Sequence, residues 1–241
     1  GAVVPTPEAP FDMANYRTFL VPMEDYQIVD NWDVVGLQGT GSHDIVVDDV
    51  FVPEHRTHKS MDGFLCDNPG NAVNPAPMYR MPFIQVYVRA VCTASLGACE
   101  GALQAFVDVA KTRRVGPNFM KDDPSARSLA AEARADIEEM KLTMVRNFDE
   151  MMDKCRAGEP IPVEDRVRYR YDSAIVADRC LALSSRMLKA ARSGGVRQGS
   201  ELLDYHLDIL CSQAHVANHS APFAKNLGGV MFGEENHDYA V

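Results

Sequence analysis

Apolar positions recur at steps of three and four over most of the chain after residue 82, a spacing typical of amphipathic α-helices. The clearest stripe predicts a helix over residues 125–157, with Ser125 as its N-cap and with Gly158 and Pro160 ending it. The stripe consists of Leu129, Ala133, Ile137, Met140, Met144, Phe148, Met151 and Cys155. We interpret its methionines as core packing, because polar partners for a bound group are missing from this face.

The same spacing predicts three more helices, over residues 82–113, 163–192 and 200–219. The first has a row of small residues that would let another helix approach closely: Ala94, Gly97, Ala98, Gly101, Ala102 and Ala105. Gly194 and Gly195 end the third helix, and Gly228 and Gly229 form a stop beyond the fourth. Four helices with short connections favour an up-down four-helix bundle.

The residues before the helices have a sequence pattern typical of β-strands. Strands are predicted over residues 16–21, 26–29, 32–37 and 45–52, while residues 1–15 read as a loop. Because three or four strands make only part of a sheet, we expect a partial β domain whose missing strands come from elsewhere. Residues 53–80, with three prolines, are expected to form a long surface connection.

Composition narrows the possible partners. The 241 residues carry a formal net charge of -10, which argues against nucleic acid or an anionic membrane surface as the partner. No apolar run approaches the roughly 20 residues of a spanning helix. The start lacks a basic segment followed by an apolar one, so no secretory signal is expected. It also opens with Gly rather than Met, and we expect a piece of a longer protein.

The six cysteines include no Cys-x-x-Cys pair, and five of them fall among apolar residues in predicted helices. This pattern favours reduced core thiols in a cytoplasmic protein.

The last predicted helix carries an unusual number of titratable groups: Asp204, His206, Asp208, His215 and His219. Histidine titrates near neutrality, so an enclosed His can handle a proton, although a His on a bundle helix is otherwise a bonded structural group. His215 and His219, four apart, would share a helix face, but no third ligand has a suitable spacing, so no metal site is predicted. Asp208 is expected to form a salt bridge or a subunit contact.

Two segments resemble a known family. Residues 32–53, WDVVGLQGTGSHDIVVDDVFVP, resemble the middle-domain signature of the acyl-CoA dehydrogenase superfamily. The Gly-Thr-Gly-Ser turn within them is similar to that of the flavin-dependent monooxygenase branch. That branch includes the oxygenase component of p-hydroxyphenylacetate hydroxylase and related two-component hydroxylases. The Gly194–Gly195 turn and the later Ala-His-Val-Ala-Asn segment, residues 214–218, fit the same branch.

The resemblance implies an N-terminal helical domain, a middle β domain and a C-terminal four-helix bundle. Residues 1–55 would be the latter part of the middle β domain, residues 56–81 a connecting loop, and residues 82–241 the bundle. The fold class expected is therefore mostly α with a partial β domain. The resemblance also implies a homo-oligomer, usually a tetramer built through the bundles, with flavin between the β domain and the bundle.

Site residues follow from the resemblance position by position. His215 matches the histidine that lies beside the flavin and the substrate hydroxyl. Arg113 matches an arginine that pairs with cofactor phosphate, a role suited to its forked guanidinium. The glycine turn that approaches the flavin of an adjacent subunit is matched by Ser193, Gly194 and Gly195. Thr40 and Ser42 could bond flavin or substrate, although turn formation alone also explains them.

The implied function is that of the oxygenase component of a two-component monooxygenase. It would hydroxylate a small aromatic substrate, a phenol, using O2 and reduced FMN or FAD from a separate flavin reductase. His215 would take the phenol proton or hold the reacting oxygen by a hydrogen bond.

Some positions depart from the family pattern. Leu207 and Asp204 stand where arginines are frequent in the family, and no Tyr-Glu-Gly-Thr stretch supplies the catalytic Glu of the dehydrogenases. We therefore favour an oxygenase. The alternatives are an acyl-CoA dehydrogenase-like flavoprotein and a truncated, non-catalytic oligomerisation module.

Overall fold

The computed structural model describes residues 1–5, 15–238 and 241. Its strands and α-helices, in chain order, are β1 Ala2–Val3, β2 Tyr16–Phe19, β3 Gln27–Val29, β4 Asp44–Val46, β5 Thr57–Lys59, α1 Ser60–Leu65, α2 Phe83–Thr112, β6 Arg114–Val115, β7 Asn118–Phe119, α3 Pro124–Ala157, α4 Val163–Ala191, α5 Glu201–Ser212 and α6 Ser220–Met231. The loop predicted over residues 1–15 lies largely outside the described residues, and at its start β1 pairs with β2 instead.

The β part consists of short antiparallel pairings. Strand β2 lies between β1 and β5, and β3 pairs with β4 so that Ile28 faces Ile45. Several large apolar side chains of this part are exposed, namely Leu20, Met23, Ile28, Ile45, Val47 and Phe51. Apolar surface of this extent normally packs against further structure. The partial β domain expected from the sequence is therefore confirmed.

Two of the predicted strands are wrong in whole or in part. Residues 32–37 form no strand, and at the end of this segment Leu37 takes a left-handed conformation with φ of 56°, which ends any extended run there. In the segment 45–52, β4 stops at Val46, before Asp49 turns the backbone with φ of 47°.

The other two strands are confirmed in position but are shorter than predicted. Strands β2 and β3 lie within the predicted segments 16–21 and 26–29. The connection predicted over residues 53–80 is more regular than expected, because it contains β5, α1 and the 3-10 turns Pro69–Ala72 and Pro77–Arg80.

Helix α2 lies at the centre of the bundle, packed against α3, α4 and α5, while α6 packs on α4. The predicted row of small residues provides close approach at Gly101, where an added Cβ would lie 2.5 Å from the ring of Tyr205 in α5. The main core is built of apolar residues from all four helices, including Cys92, Leu96, Phe106, Ile137, Met140, Val176, Met187, Leu202 and Ile209. The predicted four-helix bundle is confirmed.

Helix α3 shows how closely the sequence determines the long helices. The N-cap is Asp123 rather than the predicted Ser125, because the Asp123 carboxylate accepts a 2.8 Å hydrogen bond from the Ser125 amide. Gly158 ends the helix in the left-handed conformation, with φ of 73°. The methionine stripe is buried as predicted, at Met140, Met144 and Met151. Each such side chain contributes about 1.5–3 kcal/mol by leaving water.

The fourth predicted helix, over residues 200–219, is wrong at its C-terminal end. Helix α5 stops at Ser212, and a 3-10 turn, Val216–Asn218, separates it from α6. The buried side chain of Asn218 donates a 2.9 Å hydrogen bond to the Ser212 carbonyl, which a longer helix would have used itself. A tertiary contact therefore overrides local helix preference here.

This break changes how two histidines are interpreted. His215 has extended backbone angles, φ of -72° and ψ of 132°, and His219 begins the next helix. The prediction that they share a helix face is therefore wrong. Gly228 and Gly229, predicted as a stop, lie inside α6.

Helix α2 also corrects the expectation about long apolar runs. Among the described residues, it is the one helix long and apolar enough to cross a membrane by length and composition. Its side chains pack against three neighbouring helices. Central helices of bundles commonly have this composition.

All six cysteines are described and each is free, as the sequence predicts. The four buried ones are Cys92, Cys99, Cys155 and Cys180. Burial raises the pKa of Cys92 to about 11, which keeps this thiol protonated at neutral pH.

Candidate functional site

His215 lies on the short connection between α5 and α6. Its Nδ1 accepts a 3.1 Å hydrogen bond from the amide of Ala217, so the side chain caps the 3-10 turn that follows it. A ring nitrogen that accepts from an amide carries no proton, which assigns the proton of the neutral imidazole to Nε2. The ring is half-buried, with Nε2 free to serve a second group.

That second group is a phenol. The Oη atom of Tyr87, on the first turns of α2, lies 3.2 Å from Nε2 of His215. Tyr87 stacks in turn on Phe83, one helical turn earlier, with ring centroids 6.1 Å apart. We call Phe83, Tyr87 and His215 the His215 cluster. Phe83 and Tyr87 are each more than a third exposed, so the cluster forms an open aromatic surface with one imidazole in it.

Buried polar groups hold the backbone beside His215. Arg170, 2 % exposed, donates a 2.9 Å hydrogen bond from Nη1 to the carbonyl of Ala217. Ser95 donates to Ser212 at the end of α5, and Asn218 binds the Ser212 carbonyl. Burial lowers the pKa of Arg170 to about 10, which leaves it a cation at neutral pH. The imidazole is therefore accessible, but its backbone is fixed from within the bundle.

The predicted phosphate-binding residues come together at the other end of α2. Arg113 donates from Nη2 to Ser193 Oγ over 3.2 Å. The guanidinium lies directly against Gly194, where an added Cβ would be 1.6 Å from Nη1. Gly195 is buried, with space for a Cβ limited by Ala191. We call Arg113, Ser193 and Gly194 the Arg113 cluster.

The Arg113 cluster fits an anionic group. Within the described residues, Nε of Arg113 is buried and has no hydrogen-bond partner. A guanidinium with an unused donor, held against a glycine whose missing side chain makes room for it, is suited to phosphate oxygens. A cleft of about 460 Å³ adjoins it, lined in part by Thr112, Gly194, Arg197 and Ser200.

The two clusters are far apart. Tyr87 and Arg113 are 26 positions apart on one continuous helix, which at 1.5 Å per residue places them about 39 Å from each other. One flavin bound to one chain cannot contact both clusters. The structure thus brings Arg113, Ser193 and Gly194 together, but does not bring them to His215.

The predicted turn at Thr40 and Ser42 is attached to α5. Thr40 donates its hydroxyl hydrogen to the carbonyl of Leu37, and the Ser42 hydroxyl lies 3.4 Å from that of Thr40. The indole of Trp32 donates to the same Leu37 carbonyl. The Leu37 amide donates a 2.6 Å hydrogen bond to Asp208. Both hydroxyls are exposed, and the turn-forming role left open for Thr40 is present.

Sequence reasoning missed Tyr87 and the contact between Asp208 and Leu37. The signal for Tyr87 was an i, i+4 aromatic pair, Phe83 and Tyr87, at the start of a helix otherwise rich in small residues. No sequence signal pointed to the Leu37 amide as the partner of Asp208, because that contact joins residues 171 positions apart.

Comparison with known proteins identifies the family. The model of the acyl-CoA dehydrogenase C-terminal domain matches residues 90–219, more than half of the chain. The flavin-dependent monooxygenase oxygenase subunit HsaA of Rhodococcus jostii is 34% identical over 85% of this chain and 54% of its own length. The oxygenase component of an FADH(2)-dependent resorcinol hydroxylase from a Rhizobium species is 30% identical over 66% of this chain and 40% of its own.

A solved structure extends the likeness to the whole chain. The crystal structure of 3-HSA hydroxylase from Rhodococcus sp. RHA1 superposes with a TM-score of 0.92 at 32% identity, covering 100% of this chain and 62% of that one. The chain spans about half the length of the curated relative HsaA. It belongs to the acyl-CoA dehydrogenase family, whose C-terminal domain it contains, and the relatives it matches are oxygenase components of flavin-dependent monooxygenases.

Proposed function

We propose that this chain is part of the oxygenase component of a two-component monooxygenase that hydroxylates a small phenol. The observation that carries the proposal is an imidazole with a fixed backbone whose Nε2 already binds a phenol hydroxyl, that of Tyr87. The relatives named for flavin-dependent monooxygenation and for resorcinol hydroxylation support the same reaction. In it, a phenol, O2 and reduced flavin would give a hydroxylated phenol, water and oxidised flavin.

His215 is the proposed catalytic residue. The sequence left two roles open, taking the phenol proton or holding the reacting oxygen by a hydrogen bond. Because Nδ1 is occupied by the Ala217 amide, we propose a third role, hydrogen-bond donation from Nε2–H to the substrate oxygen. The substrate would release its hydroxyl proton to solvent water, and Nε2–H would donate a hydrogen bond to the resulting phenolate oxygen and stabilise its charge. A phenolate oxygen makes the ring carbons beside it more nucleophilic, which is what oxygen transfer to the ring requires.

Reduced FMN or FAD is the proposed cofactor, and it would supply the electrons that activate O2. Arg113, Ser193, Gly194 and Gly195 would hold its phosphate region, and Thr40 and Ser42 would lie near it on the β side. The fit rests on the unused donor of Arg113 and on the room that Gly194 leaves for its guanidinium.

Because the two clusters are about 39 Å apart, we propose that they serve different flavins. The Arg113 cluster of one subunit would complete the flavin site of a neighbour, in a homo-oligomer that we take to be a tetramer. A separate flavin reductase would be the other protein partner. We also propose a cytoplasmic location, which the six free thiols support.

The test supplies the complete protein with reduced flavin, O2 and a simple phenol, and measures hydroxylated product. A parallel anaerobic reaction with oxidised flavin and a saturated acyl-CoA measures flavin bleaching. Product from the phenol with no bleaching by the acyl-CoA supports the oxygenase. Bleaching without hydroxylation would favour the dehydrogenase chemistry of the same family. If neither hydroxylation nor bleaching occurs, the remaining interpretation is an oligomerisation module.

A further inference from the structure

We propose that Tyr87 is a positioning and selectivity residue: its side chain occupies the place on His215 that a substrate phenol needs, and the substrate must displace it. This inference rests on the proposed function, because it takes the substrate to be a phenol that binds His215. It adds a competitor built into the chain, placed 128 positions before the histidine.

The competition follows from the hydrogen-bonding capacity of imidazole. A neutral ring has one donor and one acceptor, and the acceptor Nδ1 is taken by the Ala217 amide at 3.1 Å. Nε2–H is therefore the one remaining donor, and Tyr87 Oη stands 3.2 Å from it. A second hydroxyl can bind Nε2 only after the Tyr87 hydroxyl has left.

Tyr87, rather than His215, is the group able to move. Its side chain is 42% exposed and its ring stacks on Phe83, which is itself exposed. Rotation about its side-chain bonds carries the ring into solvent without disturbing the core. The backbone beside His215 is instead held by the buried Arg170 and Asn218.

Displacement selects for chemistry as well as for shape. The tyrosine hydroxyl is itself a phenol, so a substrate phenol replaces it with a bond of the same kind. An aromatic ring without an oxygen atom offers no acceptor to Nε2–H, so a ring of that kind that displaced Tyr87 would leave this donor unpaired. Between substrates, Tyr87 would keep the imidazole oriented and its proton on Nε2.

The test compares wild type with Tyr87→Phe in the complete protein, under anaerobic conditions with reduced flavin. Phenol and toluene are the probes, since toluene has the same ring but no oxygen that could accept a hydrogen bond from Nε2–H. A hydrogen bond contributes about 0.5–1.5 kcal/mol, so the Kd for phenol should fall about 2- to 10-fold in Tyr87→Phe, while the Kd for toluene should change little. Tyr87→Leu removes the same hydroxyl and provides a second variant. Tyr79→Phe, at an exposed tyrosine on the segment before α2, is the control.

Two further readouts separate this role from simple packing. The ¹⁵N resonance of His215 Nε2 should shift in Tyr87→Phe without any ligand, and then converge with wild type when phenol saturates both proteins. In turnover, KM for phenol should fall while kcat stays within about twofold, because the bond that Tyr87 competes for is made in the bound complex.

The outcomes distinguish this inference from the proposed function. If hydroxylation proceeds but Tyr87→Phe leaves the phenol Kd and the Nε2 resonance unchanged, the role of Tyr87 is refuted and the function stands. If Tyr87→Phe tightens phenol binding but no variant forms product, the function is refuted and the competition stands. Failure of phenol to bind any variant would overturn both.

Discussion

The carboxylate of Asp208 accepts a 2.6 Å hydrogen bond from the backbone amide of Leu37, and this bond joins the β part of the chain to the middle of α5. Bonds to a charged acceptor are stronger than neutral ones. The sequence predicted a salt bridge or a subunit contact for Asp208; the bond from Leu37 is a contact within the chain that was not predicted, and the subunit contact stays a prediction. The bond from Leu37 holds the Thr40 turn against the helix that leads to His215.

Gly36 makes this contact possible, and its substitution should break it. A Cβ at this position would lie 2.3 Å from the carbonyl oxygen of Leu207, a helix backbone atom that cannot move aside. Gly36→Ala should therefore separate the β part from α5 and lower the free energy of unfolding by about 1.5–3 kcal/mol. Hydrogen exchange at the Leu37 amide measures the loss directly.

Gly39→Ala is the matched control, because nothing lies within 4 Å of a Cβ built there. It should leave the Leu37 amide protected. Equal protection of that amide in wild type and in Gly36→Ala would show that the contact is not formed in solution.

The Arg113 cluster gives a second prediction. In Gly194→Ala the new methyl group would displace the guanidinium of Arg113, which lies 1.6 Å from the Cβ position. Loss of its charged hydrogen bonds to phosphate, about 1.5–3 kcal/mol, should weaken reduced-flavin binding about 10- to 100-fold. The measurement is a titration with reduced FMN and reduced FAD. Gly97→Ala, at an open position of α2, should bind as wild type does.

If Gly194→Ala binds both flavins with wild-type affinity, Arg113 does not hold the cofactor. The same comparison carried out on mixed oligomers tests whether the cluster acts on a neighbour's flavin. A subunit with Gly194→Ala would then complement one that lacks a functional His215.

A third prediction concerns the pH dependence of stability. His206 donates through Nδ1 to Ser184 Oγ, 3.0 Å away, because that hydroxyl donates its own hydrogen to the Leu181 carbonyl. Burial lowers the pKa of His206 below its ordinary value of 6.5. At a pH between the lowered pKa and 6.5, His206 is therefore mostly neutral in the folded protein and mostly protonated in the unfolded chain.

The sign follows from proton linkage. The contribution of His206 to stability is fully present above pH 6.5 and is lost as the pH falls through the lowered pKa. Denaturant unfolding between about pH 5 and 8 should show this loss in wild type. His206→Gln should flatten the profile, whereas substitution of the exposed His55 should not. An unchanged slope in His206→Gln would contradict the assignment.

The long helices could be predicted almost to the residue. Helices α2, α3 and α4 each contain about 30 residues with regular apolar spacing, and Gly158 gives a local stop to one of them. The residues that end these helices are neighbours in sequence, so the sequence pattern alone can identify the helix ends. The resemblance of the Gly-Thr-Gly-Ser turn indicated the family, which the comparisons confirm.

The end of α5 and the His215 cluster could not be predicted in the same way. The segment from Ser212 to Asn218 has ordinary helix-forming residues, and its break depends on buried contacts to Ser95 and Arg170 from other helices. The Tyr87 hydroxyl likewise meets His215 only through the packing of α2 against the turn after α5. Such contacts are set by tertiary structure and leave little trace in the local pattern.

The most direct test of the account is the yield of hydroxylated phenol per reduced flavin oxidised in His215→Ala and His215→Asn. The account predicts that this yield falls at least about tenfold, as expected when a transition-state hydrogen bond is removed, while flavin oxidation continues and flavin affinity is retained. Wild-type yield and rate in both variants would contradict it and would remove His215 from the reaction.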